Sequence, residues 1–177
     1  TPVKSTMSNT TPFVAVLMGS DSDLATMQGC TDVLAPLQVA CEVHITSAHR
    51  TPEATRGSVI DADQRGCAVF IAAAGMAAHL AGAVAVQTIR PVIGVPIDAG
   101  PLKGMDALLS TVQMPAGVPV AGVAIGSAGA KNAAFLAAQM LGLADSALRE
   151  RLVAERAANA ESIAAKDRAL QKKLQSP

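Results

Sequence analysis

The chain has 177 residues, half of them hydrophobic and 16% charged, with 14 Lys and Arg balancing 14 Asp and Glu. Zero net charge gives no long-range attraction for nucleic acid or an anionic membrane, and no apolar run reaches the roughly 18 residues of a membrane span. With no Trp, no Tyr and three Phe, most stacking platforms for bases or a flavin ring are missing.

Residues 1–11 are rich in Ser, Thr and Pro and are expected to form a disordered tail. No basic region followed by an apolar stretch marks a signal peptide. Phe13-Val14-Ala15-Val16-Leu17-Met18 is a continuous apolar run, the pattern of a strand buried on both faces of a parallel sheet. Gly19-Ser20-Asp21-Ser22-Asp23 follows, and its small and hydroxyl residues suit a tight bend that caps a helix predicted over 22–37. Leu24, Met27 and Leu34 share the inner face of that helix. Such a loop is either an ordinary capped turn or a phosphate site at a helix N-terminus. An Asp at its end suits ribose hydroxyls better than a bare phosphate.

Cys41 to Ile45 reads as a second strand, with His44 a structural side chain within it. Thr46-Ser47-Ala48-His49-Arg50-Thr51-Pro52 then gathers a hydroxyl, an imidazole and a guanidinium in a loop. A neutral imidazole can give or take a proton near pH 7. A guanidinium can grip a phosphate with two parallel hydrogen bonds. Pro52 suits the first position of a helix predicted over 52–64, with Gly66 as its C-terminal cap.

Ala68 to Ala72 reads as a third strand, running into Ala73-Ala74-Gly75-Met76-Ala77-Ala78-His79-Leu80-Ala81-Gly82. Small residues there serve tight packing or the close approach of a flat ligand, and His79 is a cap, a core residue or a ligand group. Val92 to Pro96 reads as a fourth strand and 98–106 as a mobile lid. A short helix over 107–114, a fifth strand over 120–125 and a helix from Gly126 to about Leu143 complete the alternation. Alternating strands and helices imply a parallel sheet covered on both faces, with ligands bound beyond the carboxyl ends of the strands. The three polar loops all fall on that edge.

From Asp145 onward half of the chain's 14 Lys and Arg accompany a sparse apolar stripe. This reads as a helix lying across a partner subunit rather than joining the core. The apolar surplus of the whole chain also points to subunit interfaces. The expected organisation is a tail over 1–11, a catalytic domain over 12–144 and a subunit-packing helix over 145–177. Cys30, Cys41 and Cys67 form no CxxC or His/Cys cluster, so neither a zinc site nor a disulfide framework is expected, and three reduced thiols fit a cytosolic location.

Five stretches carry a resemblance. They are Met18-Gly19-Ser20-Asp21-Ser22-Asp23, Ser47-Ala48-His49-Arg50-Thr51-Pro52, Gly75 with Ala77-Ala78-His79-Leu80, Ser110 with Val112-Gln113-Met114-Pro115, and Ala128-Gly129-Ala130-Lys131-Asn132-Ala133-Ala134. In that order the chain resembles the class I N5-carboxyaminoimidazole ribonucleotide mutases of purine biosynthesis. The resemblance implies a three-layer, flavodoxin-like α/β domain on a five-stranded parallel sheet, and a homo-octamer with active sites at subunit junctions. It implies an isomerase that uses neither metal nor organic cofactor. The carbon dioxide of the substrate's carbamate would leave nitrogen and be recaptured at ring C4. Ser20, Ser22, Ser47 and Arg50 would hold phosphate and Asp23 the ribose. The backbone around Ala74, Gly75 and Leu80 would face the aminoimidazole. His49 would shuttle the proton, with His79 nearby. Met76 and Ala81 depart from the family's usual glycine and proline. The rivals are a class II carboxylase using free carbon dioxide, which typically has Lys at the position of Arg50 and lacks the His79 motif, and a non-catalytic ribonucleotide-binding module.

Overall fold

The computed structural model describes residues 11–175, so the tail expected over 1–11 lies, except for Thr11, outside the described residues. Five parallel strands form one sheet: β1 (Phe13–Met18), β2 (Cys41–Ile45), β3 (Cys67–Gly75), β4 (Val92–Ile97) and β5 (Ala121–Gly122), in the order β2-β1-β3-β4-β5. This is the flavodoxin-like order, in which the chain reverses direction across the sheet between β1 and β3. The helices are α1 (Leu24–Leu34), α2 (Pro52–Gln64), α3 (Leu80–Ala85), α4 (Met105–Val112), α5 (Ser127–Leu141) and α6 (Ser146–Gln175).

The unbroken apolar run of β1 is buried along its whole length, as is β4. Side chains alternate across the sheet. Phe13, Ala15, Leu17, Phe70 and Ala72 pack with Val59 and Ala62 of α2 and Leu80, Ala81 and Val84 of α3. The alternate positions Val14, Val16, Val69 and Ile71 are also buried, and so are Met27, Cys30 and Leu34 of α1. Full burial of one such large side chain contributes about 1.5–3 kcal/mol. Cys30 and Cys67 are buried thiols and Cys41 is half-buried; burial pushes the Cys67 thiol up to about 11.

Edge strand β2 is half-buried at Cys41 and Glu42 and exposed from Val43 to Ile45. Its His44 finds Glu42, at 3.5 Å, and Glu42 also receives both Nη atoms of Arg65 at 2.6 Å. Gly66, just past α2, has φ 97°, the left-handed conformation that closes a helix and that a Cβ disfavours.

Several predicted boundaries move. The helix predicted from Ser22 begins at Leu24, because Asp21–Asp23 first make a 3-10 turn capped by Ser20. The fourth helix starts two residues earlier than expected, at Met105. The strand predicted over 120–125 keeps only Ala121–Gly122 in the ladder. Gly94 and Pro96 turn their carbonyls toward β5, accepting from Val123 N–H at 3.2 Å and Gly126 N–H at 2.8 Å. In a strand a residue's N–H and C=O point the same way, so the donor missing from Pro96 is missing on the β5 side. The ladder ends there.

The described chain divides into two compact units, one reaching Ala137 and one from Ala138 onward. In the second, Asp145 caps α6, its Oδ1 accepting from Leu148 N–H at 3.0 Å. The 30 residues of α6 extend about 45 Å and present a largely exposed, charged surface.

Candidate active site

The loops after β1, β2 and β3 surround a cavity of 490 Å³ at the carboxyl edge of the sheet, beside the point where strand order reverses. Each loop is shaped by its own residues. After β1, the Ser20 hydroxyl accepts from Ser22 N–H at 3.3 Å and from the Ser22 hydroxyl at 3.0 Å, which holds both serines at the cavity wall. After β2, Thr51 fixes the bend: its Oγ1 accepts from Ser47 N–H at 3.0 Å and donates to Ser47 O at 3.1 Å. Buried Thr46 and Thr55 share a 2.7 Å hydroxyl hydrogen bond beneath it. β3 itself stays paired through Gly75, against Ile97, before α3 begins at Leu80.

Arg50 ties the first two loops together. Its Nη2 donates to Gly19 O at 3.1 Å, and its Nε and backbone N–H reach Ser47 Oγ at 3.4 and 3.1 Å. The guanidinium is exposed and lies with Ser20, Ser22 and Ser47 around one cavity, so hydroxyl and guanidinium donors converge where an anion would be bound. Asp23 lies deeper, 6% exposed, and receives the Ser22 hydroxyl at 3.4 Å. Burial raises its carboxyl above the ordinary carboxylate range, and the nearby Asp21 charge adds to this. A backbone hydrogen bond from Ser20 and the Ser22 hydroxyl oppose it.

The imidazoles meet across the second and third loops. His49 Nε2 stands 2.7 Å from His79 Nδ1, with ring planes at 83°. One ring must donate and the other accept, so the pair shares a proton that either can pass on. His79 takes the residue before α3 but makes no side-chain cap. It is exposed, so its ring serves the cavity rather than the core.

All ten residues singled out in the sequence line this cavity: Ser20, Ser22, Asp23, Ser47, His49, Arg50, Ala74, Gly75, His79 and Leu80. Sequence reasoning missed the Gly19 carbonyl as the acceptor of Arg50, since a backbone acceptor leaves no side-chain signal. It did not single out Ala99, which brings the loop after β4 to the wall. Reading 98–106 as a lid pointed to that segment but not to the residue. Among the described residues, no three His, Cys, Asp or Glu side chains are grouped to hold a metal ion, and no helix is long and apolar enough to cross a membrane.

Fold and site together define an open α/β protein whose switch-point pocket joins a cluster of hydroxyl and guanidinium donors to an imidazole pair. The family model described as AIR carboxylase matches residues 13–162, and the chain belongs to that family. It is 53% identical over 161 residues to the N5-carboxyaminoimidazole ribonucleotide mutase of Mycobacterium tuberculosis strain CDC 1551 / Oshkosh, covering 91% of each chain. It is 50% identical over 139 residues to the protein of that name from Escherichia coli K12, covering 78% of this chain and 82% of the relative. Among solved structures, Treponema denticola PurE superposes with a TM-score of 0.81 at 28% identity, covering 90% of this chain and 99% of that one.

Proposed function

We propose that this chain is an N5-carboxyaminoimidazole ribonucleotide mutase of purine biosynthesis, an isomerase that forms 4-carboxy-5-aminoimidazole ribonucleotide. The observation that carries the reading is the 2.7 Å imidazole pair facing the same cavity as the guanidinium and serine hydroxyls. The names of the relatives supply the reaction that such a pair would serve.

Ser20, Ser22, Ser47 and Arg50 hold the substrate phosphate and buried Asp23 accepts the ribose hydroxyls. The backbone at Ala74, Gly75 and Leu80 faces the aminoimidazole ring. The bond between the exocyclic nitrogen and the carboxyl carbon breaks, and its electron pair stays on nitrogen, which takes a proton from His49. Carbon dioxide, retained in the cavity, is attacked by C4 of the electron-rich ring. The proton on C4 then returns to His49, so atoms and charge balance without a net proton change. His79 stands within hydrogen-bond reach of His49 and fixes which of its nitrogens carries the proton. No step changes oxidation state and none calls for a cofactor.

The same reading makes the working form a cytoplasmic homo-octamer, with α6 packing between subunits; sedimentation of the purified protein tests its mass. The activity is tested by offering the carbamate substrate and, separately, aminoimidazole ribonucleotide with bicarbonate. Rapid turnover of the carbamate without added bicarbonate is expected. Turnover only of aminoimidazole ribonucleotide with carbon dioxide would make the protein a carboxylase instead. Binding without turnover in either assay would make it a ribonucleotide-binding module.

A further inference from the structure

Met76 stands at the cavity wall with a left-handed backbone, φ 56°, a conformation few residues with a Cβ adopt and one that costs stability to hold. Its side chain is 55% exposed, so core burial does not account for a methionine there. What the side chain touches is the loop after β4. A Cβ built on Gly100 would stand 3.3 Å from Met76 Cγ and 3.8 Å from its Sδ, so the thioether arm lies across the Gly100 backbone. One residue earlier, a Cβ on Gly75 would stand 2.8 Å from the Ala99 Cβ. The last residue of β3 and the one after it therefore abut two consecutive residues after β4, and Ala99 of that second pair lines the cavity.

The loop has little regular structure of its own. Gly100, Lys103 and Gly104 all have left-handed φ, at 71°, 50° and 85°. Leu102 is 61% exposed. Local backbone bonds there include Lys103 N–H to Gly100 O at 3.3 Å and Met105 N–H to Leu102 O at 3.0 Å. A contact from outside the loop thus has much to decide. We propose that Met76 is a positioning residue that latches residues 98–104 against the cavity rim, and so sets how tightly the wall at Ala99 fits the occupant. The kinetic half of this inference rests on the mutase reading.

The test uses Met76→Ala, Met76→Gly and Met76→Leu in the full chain. The first readout needs no activity: the rate of tryptic cleavage after Lys103, followed by mass spectrometry. The Ala and Gly variants are expected to be cut there about fourfold faster, the effect of losing one methylene's worth of contact, and the Leu variant at the native rate. The second readout is kinetic. KM for the carbamate substrate is expected to rise by about the same factor in the Ala and Gly variants, with kcat changing less, and to be restored by Leu. A purely local role would shift melting temperature and neither readout, and that result overturns the latch. Faster cleavage with native KM would overturn its influence on fit. If the native protein fails to turn over the carbamate, the mutase reading fails, while the cleavage rates still decide the latch.

Discussion

Replacing Arg50 with alanine isolates the anion cradle. The guanidinium makes two kinds of contact. Within the protein it donates to Gly19 O at 3.1 Å and to Ser47 Oγ at 3.4 Å, both exposed bonds whose net contribution to stability is about 0.5–1.5 kcal/mol each, at the low end because water competes. Toward the ligand it would supply hydrogen bonds to a charged phosphate, about 1.5–3 kcal/mol. Arg50→Ala should therefore raise the Kd for aminoimidazole ribonucleotide about 10- to 150-fold, each tenfold being about 1.4 kcal/mol. Its melting temperature should fall by only a few degrees, at about 2–4 °C per kcal/mol for a chain of this size. Calorimetric titration at fixed ionic strength gives the Kd, and scanning calorimetry gives the melting temperature. Arg50→Lys keeps the charge but loses the planar fork that reaches both Gly19 and Ser47, so it should fall between the native protein and the alanine variant. A Kd within twofold of native in Arg50→Ala would refute the reasoning and remove Arg50 from the cradle.

His49→Asn keeps a similar shape but cannot pass a proton; ribonucleotide binding should stay near native while turnover falls at least about 100-fold, and near-native turnover would exclude His49 as the shuttle. Asp23 has a carboxyl raised by burial, so its protonated form stabilises the fold below the ordinary carboxylate value and that contribution fades as pH climbs through the raised folded value. Asp23→Asn, which does not ionise, should therefore gain stability relative to the parent between about pH 3.5 and pH 7, seen as a larger difference in urea midpoint at the higher pH; an equal difference at both would remove the burial effect. In β4, a Cβ on Gly94 would overlap Thr111 Cγ2 and stand 3.0 Å from Val120 Cγ1, so Gly94→Ala should cost about 1–3 kcal/mol in chemical unfolding, with Thr111→Ser giving part of it back.

How much of this was legible from the residues can be seen element by element. The bounds of β1, β2 and α2 follow directly from Phe13–Met18, Cys41–Ile45 and Pro52–Gln64, because an unbroken apolar run, a polar loop and a proline at the first helical turn each act locally. Strand β3 runs three residues beyond the predicted Ala72, since Ala73 still pairs with Met18 of β1 and Ala74 and Gly75 pair on with Pro96 and Ile97 of β4, and only the neighbouring strands decide that. The shortness of β5 was hidden for the same reason: its own sequence is apolar, and the donor it lacks belongs to Pro96. In the site, each polar side chain could be named singly, because hydroxyls, imidazoles and a guanidinium are conspicuous among alanines. Their partners could not. His49 and His79 are 30 residues apart, and Arg50 meets a backbone carbonyl 31 residues away. Such pairings come from the strand order, which no local pattern carries.

The early end of β5 also bears on how crowded copies of this protein behave. An outer strand with many free backbone groups is a template on which another chain can pair, and repeated pairing makes fibres. Here the β5 margin offers a ladder of two residues, about 7 Å of backbone. That is too short to seed cross-β growth, so this margin of the sheet resists polymerisation by its geometry, without a charged residue to guard it.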